Sequence, residues 1–509
     1  MSRGLFASLY EAGEPFALLD TRERRDFVEG HWFGSTNVPL SLLSAQIGRL
    51  VPDLDFPIHL LDWCDVPTRA ASVLLARLGY ANVTMSPTSR PSQFGEGFVK
   101  GEYVWSKAFG EVVAHSMDLP EITPSDYMAN HRDAMLFDVR PTAEYHQFTI
   151  PGSHSLPNSL LLSNLDALKG TSRKALLHCA GRTRSIIGAC TLKAAGYDGS
   201  YAVFRGGTQA WQLDGHEREF GADRLFAQEH KNRETVAAFL DRWNIAYDVV
   251  PTNELDGFVK TNQLAHRFDV SDDAATGQLA EQGIVRISGT NLIQQTDMSI
   301  ARYHVPVVLF DLSSGSRGAF AAFWLKMMGF SVRVAFLDRP LPDAVDRGQG
   351  LAIDEEKFKS LSFVELKAHL ESGTAFDVRS SRHFAKGHLK GSVWRNLSET
   401  ISGRDPRENA ADPVAIVGND LLHAQRTAAV LAEHGWRIAG IFAWNRLPDD
   451  IGDLCSGRID KPVDESALFA GRHYGVMQDS IDYLAWEEDL PGQIDAEVRE
   501  LWKRMLAEV

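Results

Sequence analysis

The run Lys174-Ala-Leu-Leu-His is short and apolar, and it breaks at Cys179 into Ala180-Gly-Arg-Thr-Arg-Ser, after which a helical pattern begins at Ile186. This reads as a strand, a six-residue loop opened by a cysteine, and the N-terminus of a helix. Backbone N–H groups of such a loop, together with the helix dipole, converge on whatever sits at its centre. A thiol held there ionises easily, and Arg182 and Arg184 add positive charge beside it. The arrangement suits a nucleophilic sulfur that meets small anionic substrates. The alternative is a strand-end cysteine buried as a small hydrophobe, but glycine, threonine and two arginines do not belong in a core.

The element that carries Cys179 is one of a repeated set. Apolar-Asp-x-Arg strand ends occur at Asp20, Asp138 and Asp377, with a weaker copy at Asp269, spaced by 118, 131 and 108 residues. A helix closed by Gly and an aromatic follows each one, at Gly79-Tyr80, Gly196-Tyr197, Gly329-Phe330 and Gly435-Trp436, spaced by 117, 133 and 106. Glycine suits a helix C-terminus because it takes the left-handed conformation there. Two markers moving together indicate repeated domains, at a period too long for a solenoid. Short Val/Ile/Leu strands alternate with helical patterns inside each unit, which predicts a small parallel sheet flanked by helices on both faces. The expected division is 1–110, 111–245, 246–345 and 346–460, with a helical tail over 461–509. Ligands of such sheets sit beyond the carboxyl ends of the strands, where Cys179 lies.

Counting back from the four helix-ending glycines places Asp62, Leu312 and Gly418 where the second unit has Cys179. Only the second unit heads its loop with a thiol. Cys64 falls two positions late, beside Asp65 and Pro67, and reads as structural or incidental; Cys190 reads as core packing. His178 precedes the nucleophile on a strand and should point to the opposite face. Asp138 and Arg140 read as an ion pair or a loop brace, and His154 as a residue after a Pro-Gly turn within reach of a substrate.

The bulk figures remove several classes. A 509-residue chain exceeds one core, and no run of about 18 apolar residues predicts a membrane span. The net charge of −15 argues against nucleic acid as a main partner. Four cysteines without a C-x-x-C pair form neither a disulfide framework nor a zinc site. No metal or other cofactor is expected, and a reducing cytoplasm fits.

The Cys179–Arg184 loop, the Asp138-Val139-Arg140 entry, Ile150-Pro151-Gly152 and the run Phe204-Arg-Gly-Gly-Thr-Gln-Ala-Trp211 resemble the rhodanese family of sulfurtransferases. Ser106-Lys-Ala-Phe-Gly-Glu111 is similar to a segment of multi-domain bacterial members. The resemblance implies four tandem rhodanese-like domains, the second intact and the others degenerate. It implies that Cys179 takes a sulfane sulfur as a persulfide and passes it to a thiophilic acceptor such as cyanide or a thiol. Arg182 and Arg184 would hold an anionic donor such as thiosulfate, and the amides of Gly181 and Thr183 would cradle the persulfide; the Thr183 hydroxyl would donate a further bond or cap the helix. Thr149 stands where many members have His, and the loop differs from the Cys-Gly-Ser-Gly-Val-Thr type linked to 3-mercaptopyruvate, so the donor stays open.

Two other readings remain. His178-Cys179…Arg184 is like the loop of cysteine phosphatases and arsenate reductases, but one residue shorter, a cradle better sized for sulfur than for a phosphoryl group. Three degenerate loops would also suit a sulfur-carrier or regulatory binding protein. In the tail, Ala467–Trp486 and Ile494–Leu506 are expected to be helical. Val498, Leu501, Trp502 and Met505 form a stripe that packs on this chain or on a second copy as a homodimer. Glu487, Glu488, Glu497 and Glu500 disfavour a membrane-binding helix.

Overall fold

A computed structural model describes residues 4–226, 233–280, 283–312, 315–342, 358–403, 413–448 and 454–509. Each aspartate of the repeat ends a strand: Phe16–Asp20, Met135–Asp138, His266–Asp269 and Ala375–Asp377. Beside each lies, in parallel, the strand that leads into the loop: Ile58–Asp62, Ala175–His178, Val307–Asp311 and Val414–Gly418. A third parallel strand follows on the far side: Val83–Pro87, Tyr201–Phe204, Val332–Leu337 and Ile438–Ala443. Among the described residues, four sheets therefore share one strand order. The chain is α/β, with parallel sheets flanked by helices.

The repeat's glycine marker has a direct physical cause. Gly79, Gly196, Gly329 and Gly435 take φ of +92°, +70°, +95° and +87°, the left-handed turn that stops a helix and that a side chain resists.

The sheets do not stand apart. Phe16 and Ala17 pair antiparallel with Tyr303 and Arg302, so the first and third repeats share a sheet edge. One apolar cluster joins helices of the first and fourth repeats through Leu43, Leu74, Ala428 and Leu397. Another joins the second, third and tail around the helix Val104–Met117, whose Trp105 ring lies 4.9 Å from Phe33 and 5.4 Å from Trp502. The expected boundary at 110/111 falls inside that helix, and the one at 345/346 lies outside the described residues.

The tail forms helices Met477–Gln493 and Ala496–Leu506. The first begins ten residues later than expected, because Gly475 takes φ of +85° after a single 3-10 turn over Ala470–Tyr474. Val498, Trp502 and Leu506 are buried within this chain, and the Trp502 indole donates to the Met328 carbonyl at 3.1 Å. Val498 and Trp502 of the stripe thus pack on the chain's own core. No described helix is long and apolar enough to cross a membrane.

Candidate active site

The strand Ala175–His178 is buried along its whole length between its two parallel neighbours and delivers Cys179 to the sheet's carboxyl edge. The helix Thr183–Ala194 starts four residues later. Its loop is braced from one side. The amides of Thr208 and Gln209, at the start of the helix Gly207–Leu213, donate to the carbonyls of Cys179 and Ala180 at 3.0 Å each. That approach requires the Gly206-Gly207 pair: their φ angles are +72° and +54°, and a Cβ on Gly207 would lie 2.2 Å from the Cys179 oxygen. With its carbonyls tied off, the loop keeps its donors. Among the described residues, the amides of Ala180, Gly181, Arg182 and Arg184 find no protein acceptor. Such a group of N–H donors at a helix N-terminus is a site for negative charge.

Cys179 is 2% exposed and packs with Val139, Leu161 and Leu177, while its sulfur lies 3.8 Å from the Ser185 hydroxyl. The thiol lies at the base of the loop, not on the surface.

The two arginines, expected to share one task, are split. Arg184 reaches Glu144 with bonds of 2.7 and 3.0 Å and lines a cavity of about 550 Å³. Burial opposes its charge, but Glu144, with Cys179 and Asp138 beyond it, holds the guanidinium ionised above its usual range. Arg182 instead makes bonds of 2.7 and 2.9 Å to buried Glu111 and a contact of 2.9 Å to Glu488. Its charge is answered there, outside the cavity lining.

Thr183 also departs from expectation. Its hydroxyl neither faces the cavity nor caps the helix; it donates to the Glu487 carboxylate at 2.5 Å. Glu487 and Lys107 are both buried and 3.5 Å apart, and the Lys107 ammonium also donates to the Tyr483 hydroxyl. Burial pushes the Glu487 carboxyl up, yet Lys107, Thr183 and Arg182 outweigh it and keep the pKa below the usual carboxylate range. Gly181 faces the same cluster: a Cβ there would lie 3.0 Å from the Tyr483 ring and 3.1 Å from a Glu487 oxygen. In the sequence, Glu487 and Glu488 served only to disfavour a membrane-binding helix. The available signal was local: Tyr483 and Glu487 share a helix face four residues apart, and Lys107 and Glu111 sit among the mostly apolar residues of the helix Val104–Met117.

Ala180, Arg184 and Gln209 line the cavity together with Arg472, Tyr483 and Trp486 of the tail. The Gln209 side chain is 5% exposed and its amide oxygen has no hydrogen-bond partner. Beneath, Arg140 grips Asp138 at 2.6 and 2.9 Å and also donates to the Phe148 carbonyl, which fixes the turn after the strand. Burial acts against the Asp138 charge, but Arg140, His178 and Thr149 bring its pKa down to about 2. Asp20–Arg22 and Asp377–Arg379 repeat this brace, each arginine reaching a glycine carbonyl eight residues on. His178 is fully buried against Ser153 at 2.8 Å, and burial lowers its pKa. His154 packs near the rings of Phe137 and Phe226, away from the cavity lining. Cys190 is buried, its thiol pushed up to about 12 by desolvation, while Cys64 is exposed. Among the described residues no group of three or more His, Cys, Asp or Glu could hold a metal ion.

The fold is α/β, with parallel sheets flanked by helices, and is consistent with rhodanese-like domains. Residues 123–214 match the Rhodanese-like domain. Over 97% of both chains, the structure is similar to a thiosulfate sulfurtransferase from Pseudomonas aeruginosa, with 26% sequence identity and a TM-score of 0.80. A rhodanese-related protein from Thermoplasma volcanium matches 20% of this chain over 97% of its own length, at 25% identity and a TM-score of 0.18. A rhodanese-like domain protein from Staphylococcus aureus matches 20% of this chain over its full length, at 24% identity and a TM-score of 0.18. No curated protein matches the chain.

Proposed function

We propose that this chain is a sulfurtransferase that moves a sulfane sulfur through a persulfide on Cys179. The observation that carries the reading is the loop: a thiol at the base of four unengaged backbone donors, with Arg184 alongside. The Cys179 thiolate attacks the outer sulfur of a donor such as thiosulfate. The donor's S–S bond breaks, and sulfite leaves with the electron pair. Arg184 and the loop amides stabilise the charge on the leaving group and on the persulfide. A thiophilic acceptor, cyanide or a thiolate, then attacks the outer sulfur and regenerates the Cys179 thiolate. Two half-reactions imply ping-pong kinetics.

In this reading the chain carries four tandem rhodanese-like domains, and only the second is catalytic, because Asp62, Leu312 and Gly418 head the other loops without a thiol. The free thiol suits a reducing cytoplasm. Treatment with thiosulfate followed by intact-mass and peptide mass spectrometry tests the assignment. One added sulfur, mapped to Cys179 and absent from Cys179→Ser, supports it. Phosphatase turnover without any sulfur uptake overturns it.

A further inference from the structure

The cavity lined by Ala180, the residue after Cys179, and by Arg184 of the same loop is far larger than an inorganic sulfur anion requires. Thiosulfate has five heavy atoms, whereas a space of about 550 Å³ is in the range that accommodates drug-sized organic ligands. Its walls include the rings of Tyr103, Phe148, Phe469, Tyr483 and Trp486, apolar surface that a hydrated inorganic anion has no use for. Besides Arg184, the cations Lys107, Arg140 and Arg472 line the space. Arg472 is fixed by the carbonyls of Phe469 at 2.8 Å and Leu468 at 3.4 Å, and its guanidinium lies 4.6 Å from the centre of the Tyr483 ring. Among the described residues no carboxylate pairs with it, unlike Arg184 with Glu144 or Arg182 with Glu111. Gln209 adds an unpartnered amide oxygen to the lining.

We infer that this cavity binds an organic thiol with a flat apolar body and a carboxylate. The carboxylate pairs with Arg472, the body lies among the aromatic rings, and the sulfur faces Cys179. The inference rests on the sulfurtransferase reading and names the acceptor class for the same site. In the transfer, the thiolate of the bound ligand attacks the outer sulfur of the Cys179 persulfide. A new S–S bond forms on the ligand, the Cys179–sulfur bond breaks, and its electron pair returns to Cys179 as thiolate. No oxidant or reductant enters.

The test loads full-length protein with thiosulfate, removes the excess, and follows loss of the persulfide against three thiols. These are 4-(mercaptomethyl)benzoate, its neutral amide counterpart 4-(mercaptomethyl)benzamide, and 3-mercaptopropionate, which has the carboxylate without the ring. The benzoate is expected to half-saturate the reaction at a concentration about tenfold below either of the others. Arg472→Gln should erase the gap between benzoate and benzamide, and Arg472→Lys should keep most of it. Equal saturation by all three thiols, or a gap that survives in Arg472→Gln, overturns the inference while leaving sulfur transfer standing. Failure of Cys179 to accept sulfur from thiosulfate overturns both.

Discussion

Glu487 accepts the Thr183 hydroxyl bond at 2.5 Å across 304 residues of sequence. The tail helix Met477–Gln493 is thereby fastened to the first residue of the helix that opens behind the Cys179 loop. The same helix places Glu488 on Arg182 and the Tyr483 ring beside Gly181. The loop is therefore held from outside the second repeat as well as from within it.

Removing one member of the Lys107–Glu487 pair leaves the other charge buried and uncompensated. Such losses cost about 3–5 kcal/mol. Glu487→Gln and Lys107→Met should each lower the urea midpoint and slow sulfur transfer. The double variant Lys107→Met/Glu487→Gln should unfold closer to the wild-type midpoint than either single one, since it removes both charges. Additive losses in the three variants would show that the pair is not coupled.

The two loop arginines should give opposite phenotypes. Arg184 lines the cavity, and its partner Glu144 is 37% exposed and can be rehydrated when the arginine is lost. Arg184→Met should raise KM for thiosulfate roughly 10–100-fold, the worth of one or two charge-assisted bonds, with little change in melting temperature. Arg182 answers Glu111, which is fully buried. Arg182→Met strands that carboxylate and should show first as a lower melting temperature. Steady-state kinetics and thermal unfolding on both variants separate the two roles.

Much of this scaffold is legible in sequence because its determinants are local. An aspartate two residues before an arginine closes a strand and braces the next turn, as at Asp138–Arg140 and Asp377–Arg379. A glycine at the end of a helical pattern takes the left-handed turn. Both features repeat, and repetition makes them readable. The parts that were not legible depend on distant partners. Nothing near Thr183 signals Glu487, and nothing near Gly181 signals Tyr483. Both arginines of the loop carry the same chemistry, and only the position of Glu111 on the helix Val104–Met117 distinguishes Arg182. The repeat marks phase, not boundaries, so a division at 110/111 cuts through the helix that packs against both the loop helix and the tail.

Acid should loosen the second repeat by a route with a defined sign. The Asp138 pKa falls from its ordinary 3.8 to about 2 in the fold. The ionised form is the one stabilised, so the contribution is fully present above the unfolded value and disappears as pH drops from near 4 towards 2. Its size is about 2 kcal/mol. Asp138→Asn should unfold at lower urea at neutral pH, because Arg140 loses its partner, and should show a shallower decline on acidification. Urea midpoints measured from neutral pH downward check both features, and an unchanged acid slope in the variant would refute the assignment to this pair.

The most severe glycine substitution is expected at Gly207. An added methyl there would lie 2.2 Å from the Cys179 carbonyl oxygen and 2.8 Å from its carbon, backbone atoms that cannot swing aside as a flexible side chain would. The positive φ adds strain of its own. Relief requires the helix Gly207–Leu213 to withdraw, which breaks the bonds from Thr208 and Gln209 that turn the loop carbonyls away from the site. Those carbonyls would then compete for the amides expected to hold a persulfide. Gly207→Ala should cut sulfur uptake on Cys179 by two orders of magnitude or more, on the order of losing oxyanion-type donors, while the sheet persists. Gly170→Ala, where an added methyl meets nothing within 4 Å, serves as the control. Peptide mass spectrometry after thiosulfate treatment gives the uptake, and circular dichroism reports the sheet. Wild-type uptake in Gly207→Ala would mean that the amides beside Cys179 do not hold the transferred sulfur.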